Sequence, residues 1–130
     1  MVITHSKISL DALRKAQAQL DTAIKDARSE LEITGAIKCF EYCYELSWKI
    51  MKRILEARGV TDINSPRSVF VAAFRNKLIK DLDAWNSFIA QRNLTSHTYD
   101  EDLADEVFRS LGIFAQHLEE FIKTAEQEQQ

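Results

Sequence analysis

Arg92, Asn93, His97 and Tyr99 fall within eight residues of one another in the stretch RNLTSHTYDE, which the acids Asp100 and Glu101 close and a third acid, Asp102, follows. Histidine titrates near neutral pH. It can take a proton from a ribose 2′-hydroxyl or give one to a leaving oxygen. Arginine presents a planar set of donors that grips a phosphate and stabilises charge growing on it. Together the two suit metal-free cleavage of RNA. Other chemistries lack their parts. There is no glycine-rich loop to cradle phosphates and no carboxylate cluster for magnesium. Ser96 adjoins His97, but sequence neighbours on a helix point apart, and no serine–histidine–acid triad is recognisable.

The spacing constrains how these residues can cooperate. On an ideal helix successive residues turn by about 100°, so Asn93 and His97 stand about 40° apart and share a face. Arg92 and His97 stand about 140° apart and do not. For these two to act together, either the helix breaks between them or the site combines copies from two subunits. A twofold interface supplies the second arrangement by bringing the same patch together twice. A homodimer is therefore expected. The alternative is a plain helix end, at which His97 and Asn93 satisfy backbone carbonyls.

The elements that must position this stretch are helical. Hydrophobic residues make up 45% of the 130-residue chain, enough for a core, and one proline with three glycines argues against an all-β fold. The expected architecture is all-α, an up-and-down four-helix bundle with an extra short helix, in a single domain over residues 1–130. A first helix is predicted from Ser9, acting as cap, to Arg28, with Leu10, Leu13, Ala16 or Gln17, Leu20, Ala23 or Ile24, and Ala27 inward. A second runs from Ile33 to Arg58, its stripe built on Ile37, Phe40, Tyr44, Ile50 or Met51, and Ile54 or Leu55, with Gly59 as its C-terminal cap. Ser65 followed by Pro66 reads as an N-cap with proline in the first helical position, opening a short helix to Asn76. The fourth begins at Leu78, carries Leu82, Trp85, and Phe88 or Ile89 inward, and enters RNLTSH. The last runs from Asp100 to Ala125, with acids in its first turn where the helix dipole favours them, and EQEQQ is expected to fray. Tyr42 and Trp48 stand off the main stripe of their helix. They mark either a second apolar face, as a dimer needs, or a wide core stripe.

The remaining candidates are weaker. His5 lies in a terminus expected to fray, and His117, beside Glu119 and Glu120, reads as a surface residue. Cys39 and Cys43, one helical turn apart, are expected to pack as small hydrophobes. A zinc site would need two further ligands at a recognisable spacing. No run of residues is apolar enough to span a membrane, and MVITHSKISL lacks a basic region followed by a long apolar run, so the cytoplasm is the expected compartment. A net charge of −3 does not advertise nucleic-acid binding. Its distribution says more: residues 25–80 hold 11 Lys/Arg against 7 Asp/Glu, and residues 81–130 hold 3 against 11. A polyanion would meet the middle of the chain rather than its end. The other reading is that neighbouring helices attract one another.

Arg92, Asn93, His97 and Tyr99 reproduce the R-N-x-x-x-H-x-Y signature of the HEPN superfamily of helical domains. FEYCYELSWKIMKRIL (Phe40 to Leu55), SPRSVFVAAFRNKLI (Ser65 to Ile79), Trp85 and RNLTSHTYDE resemble, in order and spacing, its bacterial branch of nucleotidyltransferase substrate-binding proteins. The resemblance implies a helical bundle that dimerises with its motifs facing each other near the interface. It implies a partner, a minimal nucleotidyltransferase encoded alongside. In related HEPN ribonuclease toxins the motif arginine and histidine are catalytic, and the tyrosine accepts the adenylyl groups that silence the toxin. Carried over, Arg92 and His97 are catalytic, Asn93 supports the site and Tyr99 is modified, with no metal and no cofactor. Three readings follow: a metal-independent endoribonuclease held in check by a nucleotidyltransferase, a non-catalytic subunit that presents substrate to that enzyme, and a structural helical dimer with no site.

Overall fold

Where each helix starts is decided by side chains that cap it. The structure, a computed structural model, describes residues 8–129, so the expectations for His5 and the extreme N-terminus lie outside the described residues. Five helices follow in order: α1 (Asp11–Asp26), α2 (Glu30–Ala57), α3 (Pro66–Arg75), α4 (Leu82–Leu94) and α5 (Glu101–Glu128), with a 3-10 turn, Thr95–His97, between the last two. No strand occurs among the described residues, and the fold is all-α.

Several boundaries differ from the sequence expectation, each for a visible reason. Ser9 does not cap α1. Leu10 holds that position without a side-chain bond, and the Ser9 Oγ only accepts from the Asp11 N–H at 3.3 Å. Helix α1 ends at Asp26 because Ser29 and Glu32 form a reciprocal capping box that opens α2 at Glu30, three residues ahead of Ile33. Gly59 does close α2, in the left-handed conformation at φ 92°. Ser65 caps α3 as expected, with Pro66 in the first turn and Ser68 completing a second capping box. Helix α4 begins at Leu82 rather than Leu78, because Asp81 accepts from the Ala84 N–H at 2.9 Å, while Leu78 and Ile79 are buried in the connection. The C-terminal EQEQQ tail does not fray from its start as expected, since α5 continues to Glu128. Glu126 pairs with Arg14, Glu128 pairs with Arg58, and the Gln129 side chain bonds both the N–H and the C=O of Ile8, at 2.8 and 3.1 Å.

Helix α2 packs against α1, α5 and α3, and α4 lies across α3 and α5. Trp85 of α4 is the hub of the core. Its ring stands 5.3 Å from Phe70, 5.4 Å from Phe88, 6.0 Å from Phe114 and 6.3 Å from Phe121, mostly edge-on, as aromatic quadrupoles favour. His117 departs from its surface reading. Its ring packs 5.7 Å from Phe88 and its Nδ1 lies 3.7 Å from Glu120. Cys43 is buried, and desolvation, aided by Cys39 and Asp21, pushes its thiol up to about 12. Cys39 is half-buried.

Arg14 ties α1 to α5 by reaching Glu119 and Glu126, both at 2.6 Å, and Gln17 adds a bond to Glu119. Glu119 is held below the ordinary carboxylate range first by the Gln17 bond and then by Arg14, and Glu126 is held down by Arg14. Depressed carboxylates contribute stability above their unfolded value of 4.5 and lose it as pH falls through the folded value. Arg14→Met is therefore expected to lower the thermal midpoint at pH 7. The gap to the unsubstituted protein should close in acid, once the pH lies below the lowered folded values of both carboxylates and they are protonated in both states. A gap of equal size at both pH values, followed by circular dichroism, would show that lost packing rather than charge is responsible.

Candidate functional site

Arg92 takes the next position on the buried stripe of α4, after Trp85 and Phe88 at three- and four-residue steps. That register points a guanidinium at α2 instead of at water, and a charge so placed needs opposite charge beside it. Glu41 and Glu45, one turn apart on α2, supply it. Arg92 Nη1 lies 3.6 Å from Glu41 and Nε lies 3.8 Å from Glu45. Nη1 also donates to the Thr95 Oγ1 at 2.9 Å. The buried Nε makes no hydrogen bond, so the long ion pair with Glu45 is what it has. Trp48 donates from its indole to Glu45 at 3.2 Å, which explains its position off the core stripe. Half-exposed pairs of this kind contribute about 1 kcal/mol or less to stability; their effect is to fix the plane and direction of the guanidinium.

Thr95 and Thr98 end the helix. The Thr95 hydroxyl donates to the Arg92 carbonyl at 2.6 Å and the Thr98 hydroxyl to the Thr95 carbonyl at 3.3 Å, while the Asp100 N–H donates to the His97 carbonyl at 3.1 Å. The alternative in which Asn93 and His97 cap the carbonyls therefore does not hold. Both are exposed. The chain then restarts at once, because Asp100 accepts from the Asp102 and Leu103 N–H groups and opens α5.

His97 stands on the 3-10 turn, and its Nδ1 meets the Tyr99 hydroxyl at 3.4 Å, a long bond between rings 5.9 Å apart. Tyr99 is 84% exposed, so its ring does not pack against the bundle. With Nδ1 turned to Tyr99, Nε2 is the nitrogen open to a substrate. Of the two ways to reconcile Arg92 with His97, the break in the helix is present, yet it does not join them. Within the chain Arg92 bonds Thr95 and pairs with Glu41 and Glu45, while His97 bonds Tyr99. A shallow groove beside Tyr99 is lined by Leu31, Thr34, Glu30, Glu101 and Asp105. Its like charges show in Glu101, whose carboxyl is raised by a hydrogen bond and repulsion from Glu30.

Tyr44 lies behind the arginine, edge-on to Phe70 at 6.1 Å. Burial, then Glu45, push its phenol up to about 12, while Arg92 and Arg67 both pull it down. Among the described residues no three His, Cys, Asp or Glu side chains gather as a metal ion would need, and no helix is long and apolar enough to cross a membrane. Glu41, Glu45 and Thr95 are the site residues that motif spacing misses. The signal for them is an arginine in stripe register on α4, which demands acids on the facing helix.

Comparison with known proteins gives this geometry a context. Residues 8–127 match the family described as nucleotidyltransferase substrate binding protein like. Over 86 residues, 63% of this chain, the sequence is 40% identical to a Haemophilus influenzae protein named "Probable ribonuclease HepT", and the match spans 59% of that relative's length. Two solved structures share the fold. Protein ttk003001694 of Thermus thermophilus superposes with a TM-score of 0.81 at 30% identity, covering 87% of this chain and 98% of that one. HI0074 of Haemophilus influenzae, described as revealing the fold of a substrate binding domain of a nucleotidyltransferase, gives 0.80 at 30% identity over 91% of this chain and 99% of its own.

Proposed function

This chain belongs to the nucleotidyltransferase substrate-binding-protein-like family, and on that premise we propose that it is the HEPN-type partner of a separately encoded minimal nucleotidyltransferase. In this reading it is a cytoplasmic, homodimeric, metal-independent endoribonuclease toxin that adenylylation of Tyr99 silences. One observation carries the reading. His97 is exposed with its Nδ1 turned to Tyr99 at 3.4 Å, one turn beyond an arginine that two carboxylates hold in place, while other side chains do the work of ending the helix.

Two copies of the motif, facing across a twofold axis, complete the machinery that one protomer leaves divided. One His97 takes the proton of a ribose 2′-hydroxyl, and that oxygen attacks the adjacent phosphorus. The bond to the 5′-oxygen breaks, and the second copy of His97 gives that oxygen a proton. The products are a 2′,3′-cyclic phosphate and a free 5′-hydroxyl. Arg92, its Nε and Nη1 already directed by Glu45, Glu41 and Thr95, offers Nη2 to the phosphate and opposes the charge that grows there. Asn93, exposed beside Arg92, adds a donor for the same phosphate or the ribose.

The description of HI0074 as a substrate binding domain favours a second reading, a non-catalytic subunit that presents substrate to the transferase. Expression of this chain alone in a bacterial host separates the two. Growth arrest with RNA carrying new 5′-hydroxyl ends is the expected result, relieved by co-expression of the cognate nucleotidyltransferase. Normal growth with intact RNA would leave the subunit reading standing alone.

A further inference from the structure

From Pro66 to Lys80 the chain carries Arg67, Arg75, Lys77 and Lys80 and no acid. Attraction between neighbouring helices accounts for Arg58, which pairs with Glu128 and also donates to the Asn76 carbonyl. It does not account for Arg67 and Arg75. Both are exposed, and neither makes an ion pair or side-chain hydrogen bond among the described residues. Arg67 also sits in the first turn of α3, where the helix dipole disfavours a cation. A groove of about 570 Å³ runs between α3 and the loop that precedes it, lined by both arginines, Ser65, Ser68, Val71 and one acid, Asp62.

The outer face of α3 adds an aromatic. Phe74 is 44% exposed, and on the helical wheel Arg67, Val71, Phe74 and Arg75 fall within about 100° of one another. Eight residues of helix separate the two arginines by about 12 Å along the axis. Unpaired cations in a groove with an exposed ring on the same face are the parts by which proteins hold single-stranded nucleic acid: charge tracks the backbone and the ring stacks a base. Arg67, at the start of α3, is the end nearer the candidate site: the other end, at Asn76, is bonded by Arg58 at the close of α2, whereas Phe70 packs edge-on to Tyr44, the residue before the Glu45 that pairs with Arg92.

We propose that the outer face of α3, with Arg67, Phe74 and Arg75, binds a single-stranded stretch of RNA and leads it toward Arg92 and His97. The proposal rests on the ribonuclease reading and deepens it by giving the substrate a path. It accounts for a basic segment in a chain of net acidic charge. It assigns the substrate to single strands, since a stacked base must leave a duplex.

The test uses the full chain carrying His97→Ala, so that RNA binds without being cut, and a fluorescent single-stranded RNA of roughly 16 nucleotides, the upper end of such binding sites. Replacing Arg67 and Arg75 together by alanine is expected to weaken binding about tenfold and to flatten the slope of log affinity against log salt by roughly 1.4, two phosphate contacts on a single strand. Phe74→Ala is expected to weaken binding about tenfold with the slope unchanged. All three side chains are exposed, so the substitutions leave the core intact. Unchanged affinity and slope in the double-arginine variant would overturn the path while leaving the ribonuclease reading in place. No binding of RNA by the His97→Ala chain would overturn both. A change in solution mass on Phe74→Ala would assign the face to a contact between copies of this chain and overturn the path.

Discussion

Replacing His97 with alanine is expected to lower RNA cleavage by about 10² to 10⁴-fold, the range that a positioned acid–base group contributes. Growth arrest should disappear with it. The side chain is exposed on a 3-10 turn, so its loss leaves the core untouched, and circular dichroism should be unchanged. Arg92→Lys is expected to fail nearly as badly although it keeps the charge. Glu41, Glu45 and Thr95 engage two separate nitrogens of a planar group, and an ammonium has one nitrogen to offer. Because the two side chains hold different partners within a protomer, the composite site has a signature of its own. Unsubstituted chains co-expressed with His97→Ala chains should form mixed dimers that do not cleave, because each cut needs the His97 of both copies. Chelators should leave the cleavage unaffected, since each proton has a histidine to accept or supply it. A 15.0 kDa species by light scattering at micromolar concentration, or His97→Ala with undiminished cleavage, would remove the mechanism.

How much of this is legible in the sequence can be judged residue by residue. The apolar stripes read correctly because their burial is periodic: the inward positions assigned to the second helix are buried at Ile37, Phe40, Tyr44, Ile50, Met51, Ile54 and Leu55. Ser65–Pro66 read correctly because capping is a local property of the chain. The same logic applies at Ser29 and Glu32, an S-x-x-E capping box that an apolar period starting at Ile33 hides. Helix α5 outruns its expected end because the bonds that hold Glu126, Glu128 and Gln129 come from Arg14, Arg58 and Ile8, distant in sequence and invisible to periodicity. The site divides along the same line. The motif places the break after Arg92 and the exposure of His97 within reach. The clamp of Glu41 and Glu45 depends on how α4 crosses α2, and no spacing within RNLTSHTYDE encodes it.

Co-expression with its cognate nucleotidyltransferase is expected to add adenylyl mass to this protein at Tyr99, and Tyr99→Phe is expected to abolish the addition entirely. Among the described residues the phenol is the most exposed of the large apolar side chains, at 84%, so a second enzyme's active site can reach it. In the transfer, the Tyr99 oxygen attacks the α-phosphorus of ATP, pyrophosphate departs and the phenolic proton is lost to a base of the transferase. The consequences fall on His97, 3.4 Å away. The modification removes the hydroxyl that His97 Nδ1 bonds and sets a bulky anion beside the imidazole. The anion favours the charged imidazolium and occupies space that an RNA phosphate needs. A base that is held protonated cannot accept the 2′-hydroxyl proton, so modification and catalysis exclude each other. Tyr99→Phe should therefore cleave RNA yet escape silencing, and cells carrying it should stop growing even with the transferase present. Intact-mass and peptide mass spectrometry read the first part, and colony counts read the second. An unmodified Tyr99 after co-expression with an active transferase would remove the switch. Modified protein that still cleaves RNA would show that the adenylyl group sits clear of His97, contrary to the 3.4 Å contact on which the exclusion is built.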